Sequence, residues 1–173
     1  MASTGMTAAG DVADLLTVLG RHRNFLRFTV RDLTDEQAAR RTTVSELCLG
    51  GIIKHVADVE RRWVEFIQVG PSAMGVPNEK STAEREATFR MGPGETLSGI
   101  LDGYEQVARR TGEVVTTLPS LDVSQPLPEA PWFEKGARWS ARQVLLHVLA
   151  ETAQHAGHAD IIRESLDGAK TMG

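Results

Sequence analysis

The chain has one cysteine, one tyrosine and no basic cluster longer than pairs such as Arg61-Arg62 and Arg109-Arg110. Each scarcity excludes something. A lone Cys48 cannot form an internal disulfide, which fits a reducing compartment, and it argues against a cysteine-rich zinc site. Nucleic-acid binding needs a concentrated positive footprint, and 19 basic against 23 acidic residues leave a formal charge of −4. No stretch approaches the roughly 18 apolar residues of a membrane span. The opening MASTGMTAAGDVADLL lacks a basic region followed by an apolar run, so no secretory signal is expected there. These features predict a soluble, cytoplasmic protein with no nucleic-acid or membrane partner.

What is present is helical periodicity. At 173 residues the chain suits one domain, 1–173, with its core within about 11–168. Apolar residues recur every three or four positions in four long segments. The first runs from about Asp11 to Thr29, the second from Glu46 to Val69 with Gly70-Pro71 as its stop. The third begins near Glu95 and is stopped by Leu118-Pro119, and the fourth follows Ser140 and continues to about Leu166. Thr34 with Gln37, and Ser140 with Gln143, have the spacing of N-terminal capping boxes. Residues 70–94 and 119–138 read as long connections, the former with one helical turn around Glu84 to Ala87. No segment shows a convincing period-2 strand. The expected class is all-α: a four-helix bundle with long connections after helices two and three, hence at least one crossover.

Five histidines occur in the chain, and three of them fall within HVLAETAQHAGH, His147 to His158. At ~100° per residue, His147, Glu151, His155 and His158 lie within an arc of roughly 80° on one helix face. Val144, Val148 and Ile162 flank that arc, so it is the stripe that should face the core. His55 follows Ile52 by three residues and precedes Val59 by four, so it also points inward. One inward histidine is usually a hydrogen-bonded core residue. Several of them with an inward carboxylate, which is costly to bury unpaired, point to a divalent metal held between facing helices. His147 and His158 are separated by ~16 Å along the axis, so all cannot bind one ion. Glu151 with His155 forms the central pair, and His55 is the third ligand. His158 is an alternative third or a fourth ligand, and His147 either supports the ligands from behind or forms a pocket wall. Three protein ligands leave a coordination position open, as catalytic sites do.

The stretches KHVADVERRW (Lys54 to Trp63) and RWSARQVLLHVLAETAQHAGHADIIRESLDG (Arg138 to Gly168) resemble the DinB/YfiT-like superfamily, in particular an actinobacterial branch of the DinB family. The likeness covers nearly the whole chain. It implies a four-helix bundle of up-down-down-up topology and a divalent metal, zinc or nickel. Members supply one histidine from helix two and an H-x3-H pair from helix four, positions that fall here on His55, Glu151 and His155. Glu151 departs from the histidine that many members have. The resulting E-x3-H is similar to the arrangement in mycothiol-dependent maleylpyruvate isomerase, and it leaves His158 available as an extra ligand. Related enzymes are S-transferases and isomerases that use mycothiol or bacillithiol. The resemblance therefore implies a metal that activates a low-molecular-weight cofactor thiol, with mycothiol as cofactor, a small-molecule substrate and a possible homodimer. Two other functions fit the same residues: a metal-dependent hydrolase, and a non-catalytic metal-binding bundle.

Other residues carry weaker signals. Cys48, near a helix start, is expected to be an inert, half-buried thiol. Gly50-Gly51 either allows a close contact one turn before His55 or marks a late helix start. Asp58 either orients the His55 ring or pairs with Arg61 or Arg62. Trp132, Phe133 and Trp139 either cover a pocket mouth or anchor their loop to the bundle. Arg138 and Arg163 are candidate contacts for an acidic cofactor or substrate.

Overall fold

The structure is a computed structural model, which describes residues 3–75 and 79–171. Among the described residues six α-helices carry the fold: α1 (Ser3–Phe28), α2 (Asp35–Ala39), α3 (Leu49–Val69), α4 (Glu79–Thr88), α5 (Leu97–Thr117) and α6 (Ala141–Asp167). Helix α1 packs on α6, and α3 packs on both α5 and α6. Among the described residues no helix is long and apolar enough to cross a membrane.

Both capping boxes form. The Thr34 and Ser140 hydroxyls accept from the backbone N–H groups of Gln37 and Gln143, whose side chains return the bond to the cap. Gly168, with φ +78°, ends α6 in the left-handed conformation that costs glycine least. Gly70 caps α3 at φ +70°, and a 3-10 turn, Gly70–Met74, follows.

Three helix boundaries and one strand pair differ from the sequence-based expectation. Helix α1 begins at Ser3 rather than near Asp11, because STGMTAAG, rich in small residues, has no apolar stripe to announce it. Helix α3 begins at Leu49 rather than Glu46. Thr43 and Ser45 hydroxyls accept from the N–H groups of Ser45 and Leu47, and such local bonds compete with the helix ladder. Helix α4 has 10 residues instead of one turn; EKSTAEREAT is almost wholly polar, so no apolar period marks it. The expected connection 70–94 also includes residues 76–78, which lie outside the described residues. Two short antiparallel strands, β1 (Ser124–Pro126) and β2 (Arg138–Ser140), were not expected; three residues are too few to display alternation.

The core divides into two clusters. One gathers Leu26, Leu49, Ile52, Ile53, Val56, Tyr104, Ala159 and Ile162; the other gathers Leu19, Phe66, Ile67, Val115, Val144, Leu145 and Val148. Between them along the helices lies a polar layer. Glu60 is fully buried; it accepts from Arg23 Nε at 3.1 Å and from the Thr111 hydroxyl at 2.5 Å. The candidate site sits at the same level on α6, between Val148 and Ala159.

Candidate metal centre

His55 projects from the second turn of α3 and is 2% exposed. Glu151 and His155 stand four residues apart on α6, with side chains 28% and 12% exposed, so the site is buried on the α3 side and opens past Glu151. One donor atom from each of His55, Glu151 and His155 lies within 4.8 Å of the other two. The Glu151 Oε2 to His155 Nε2 distance is 3.6 Å. Donors around a tetrahedral zinc with bonds of ~2.0–2.1 Å sit ~3.3 Å apart, a spacing that the Glu151–His155 pair nearly has.

His158 takes a different place. Its Nδ1 lies 3.5 Å from His155 Nδ1, on the ring edge away from the Nε2 that faces Glu151. It is not within the group of three and instead faces the back of one of them. His147 sits edge-on to Trp63 and tilted against Trp139, with ring centroids 4.9 and 5.3 Å away. Trp63 and Trp139 stack at 4.7 Å, and Phe133 meets Trp139 edge-on. The β1–β2 pairing delivers Trp139 to this cluster, so Phe133 and Trp139 anchor their connection to α3, while Trp132 stays 66% exposed.

The electrostatics suit metal ligation. Burial, then repulsion from His155 and Arg85, pushes His55 down to about 4, against a weaker opposing pull from Asp58. Burial also lowers His155, with His158 adding to the shift and Glu151 opposing it; burial lowers His147 too. The imidazoles are therefore neutral near pH 7, the form that binds a metal.

Two parts of the environment, Thr88 and Phe89, were not legible beforehand. Thr88, the last residue of α4, lies with its hydroxyl oxygen 3.0 Å from His55 Nδ1. Phe89 stacks on the His55 ring at 3.8 Å with an interplanar angle of 21°. Gly50 and Gly51 admit this segment, since a Cβ on Gly51 would stand 1.9 Å from the Phe89 carbonyl oxygen. No sequence signal connects α4 to His55; the close pair of glycines was the one hint. Asp58 does not orient His55 and instead pairs with Arg61 and Arg62 on its own helix. Cys48 is more buried than expected, at 2% exposure, with its sulfur 3.7 Å from the Phe89 carbonyl. Arg163 is also committed elsewhere: it binds Asp167 and donates to the carbonyls of Thr29 and Arg31 at 2.8 Å each. Arg138 is held by the Ser124 carbonyl across the strand pair. A groove of ≈ 480 Å³ between α3 and α5, bordered by Lys54, Asp58, Arg61, Glu95 and Tyr104, lies apart from the three donors.

The fold and this cluster define a class: an all-α protein with a candidate His-Glu-His metal centre shared by two packed helices. Residues 14–168 match the family model described as mycothiol-S-transferase, and the chain belongs to that family, within the DinB/YfiT-like superfamily. A search of curated proteins found no match.

Proposed function

We propose that the protein is a divalent-metal-dependent S-transferase or isomerase that uses mycothiol, with His55, Glu151 and His155 as the metal ligands. The observation that carries this reading is the convergence of those three donors from α3 and α6 in a chain of the mycothiol-S-transferase family. Two neutral imidazoles and one carboxylate fit a first-row divalent ion, with zinc or nickel the expected metals. Three protein ligands leave a position for the thiol. A bound metal would lower the thiol pKa and hold the sulfur as a thiolate nucleophile.

The chain's own part is to bind, orient and shield. His55 enters from the dry side and fixes the depth of the centre. Glu151, the most exposed of the three, lies where the site opens to small molecules. His158 backs His155 and steadies its ring instead of completing the ligand set. His147, with Trp63, forms a wall one turn along α6. No protein nucleophile is required, which agrees with the burial of the lone cysteine. The same reading takes the whole chain as one domain, its four long helices as the up-down-down-up bundle, and the protein as cytoplasmic and homodimeric.

The test is thiol consumption by untagged protein loaded with zinc or nickel, given mycothiol and an electrophile such as a haloarene. Metal-dependent conjugation is expected, reduced at least about 100-fold by Glu151→Ala or His155→Ala. Equal rates in wild type and these variants would sink the proposal. Turnover of ester substrates without thiol would favour a hydrolase.

A further inference from the structure

Between α3 and α5, Thr88 and Phe89 touch the metal centre. The Thr88 hydroxyl has a single proton, and it donates that proton to the Arg85 carbonyl at 2.5 Å, closing the last turn of α4. Toward His55 the same oxygen can then only accept, and His55 Nδ1 lies 3.0 Å away. With the proton on that shorter bond, Nδ1 is the nitrogen left to carry the ring proton, and Nε2 keeps its lone pair. Phe89, the next residue, lies flat on the imidazole and holds its plane. The segment is itself held against α3: the Phe89 carbonyl and the Arg90 N–H lie where a Gly51 Cβ would project, and Lys54 donates to the Arg90 carbonyl at 3.2 Å.

We propose that Thr88 and Phe89 are positioning residues for the metal centre: Thr88 fixes His55 in the Nδ1–H tautomer, Phe89 fixes the ring plane, and together they present Nε2 to the metal. This rests on the reading of His55 as a ligand. It gives the segment between α3 and α5 a task that its polar sequence does not advertise. Partners of this kind, accepting from the far nitrogen of a ligating histidine, typically contribute 10–100-fold in metal affinity.

The test reads the tautomer and the metal separately. In metal-free protein labelled with ¹⁵N-histidine, long-range ¹H–¹⁵N spectra, assigned with His55→Gln, show which nitrogen is protonated. Wild-type His55 should be Nδ1–H. Thr88→Val, which keeps shape but cannot accept, should populate the Nε2–H form and weaken zinc binding about 10–100-fold in chelator competition. Thr88→Ser should restore both. An Nε2–H signal in the wild type, or a Thr88→Val spectrum and affinity identical to wild type, would overturn the proposal. If wild-type protein bound no zinc while the tautomer still followed residue 88, Thr88 would keep its hold on the ring, and the metal reading alone would fall.

Discussion

Gly51 provides the sharpest stability test, because two neighbouring effects have opposite signs. Replacing a mid-helix glycine by alanine ordinarily stabilises by about 0.5–1 kcal/mol. That gain should appear in full at Gly112, on α5, where an added Cβ meets nothing within 4 Å. At Gly51 the new Cβ would stand 1.9 Å from the Phe89 carbonyl oxygen, 2.2 Å from its carbon and 2.7 Å from Arg90 N, whereas ordinary contact begins at 3.4 Å. All three atoms are backbone, so the whole 88–90 segment must move off α3. Overpacking of this kind costs about 1–3 kcal/mol, more than the helix gain. Gly50 is the informative neighbour. Its Cβ would meet Met91 Sδ at 2.3 Å, the flexible end of a side chain that can turn aside. In urea unfolding of metal-free protein the expected order is Gly112→Ala above wild type, Gly50→Ala within about 0.5 kcal/mol of it, and Gly51→Ala about 1–2 kcal/mol below. A Gly51→Ala protein as stable as Gly112→Ala would refute the close approach, and with it the seat of Phe89 on His55.

Stability of the metal-free protein should also depend on pH through His55. Its folded pKa, about 4, lies below the ordinary 6.5, so between those values the unfolded chain binds the extra proton. The contribution is therefore complete above pH 6.5 and is lost progressively as pH falls toward 4, by up to about 3 kcal/mol, and His55→Gln should flatten that slope in urea melts taken across the window. The Arg23–Glu60 pair should behave as a buried ion pair: Glu60→Leu alone costs about 3–5 kcal/mol by stranding Arg23, and Glu60→Leu with Arg23→Met recovers most of it. A double variant as unstable as the sum of the singles would show that the pair is not coupled.

The parts of this fold that could be read from sequence are those with a local signature. Helix-period apolar stripes announced α3, α5 and α6, and two capping boxes located the starts of α2 and α6. His55, Glu151 and His155 were legible because polar residues occupied positions where those stripes required apolar ones. His158 shares the same stripe, yet the side-chain geometry turns it to the back of His155, a distinction that a helical wheel cannot draw. The polar layer escaped notice for a related reason. Glu60 stands in VERRW, which reads as a solvated charged face, and only the packing of α1, α3 and α5 brings Arg23 and Thr111 to it. Thr88 and Phe89 depend on a long-range contact whose cause lies 37 or more residues earlier, at Gly51. A hydroxyl at the end of a polar helix and an aromatic just past it carry no local mark of such a contact.

The central claim, three ligands with His158 behind them, is tested most directly by metal stoichiometry. Untagged wild type and the His55→Ala, Glu151→Ala, His155→Ala and His158→Ala variants would be dialysed against zinc or nickel and their bound metal measured. The expected result is about one ion per chain in the wild type, near zero in the first three variants, and one ion bound about 10–100-fold more weakly in His158→Ala. A folded wild type that takes up no metal, or loss of metal on changing His158 but not Glu151, would contradict the account.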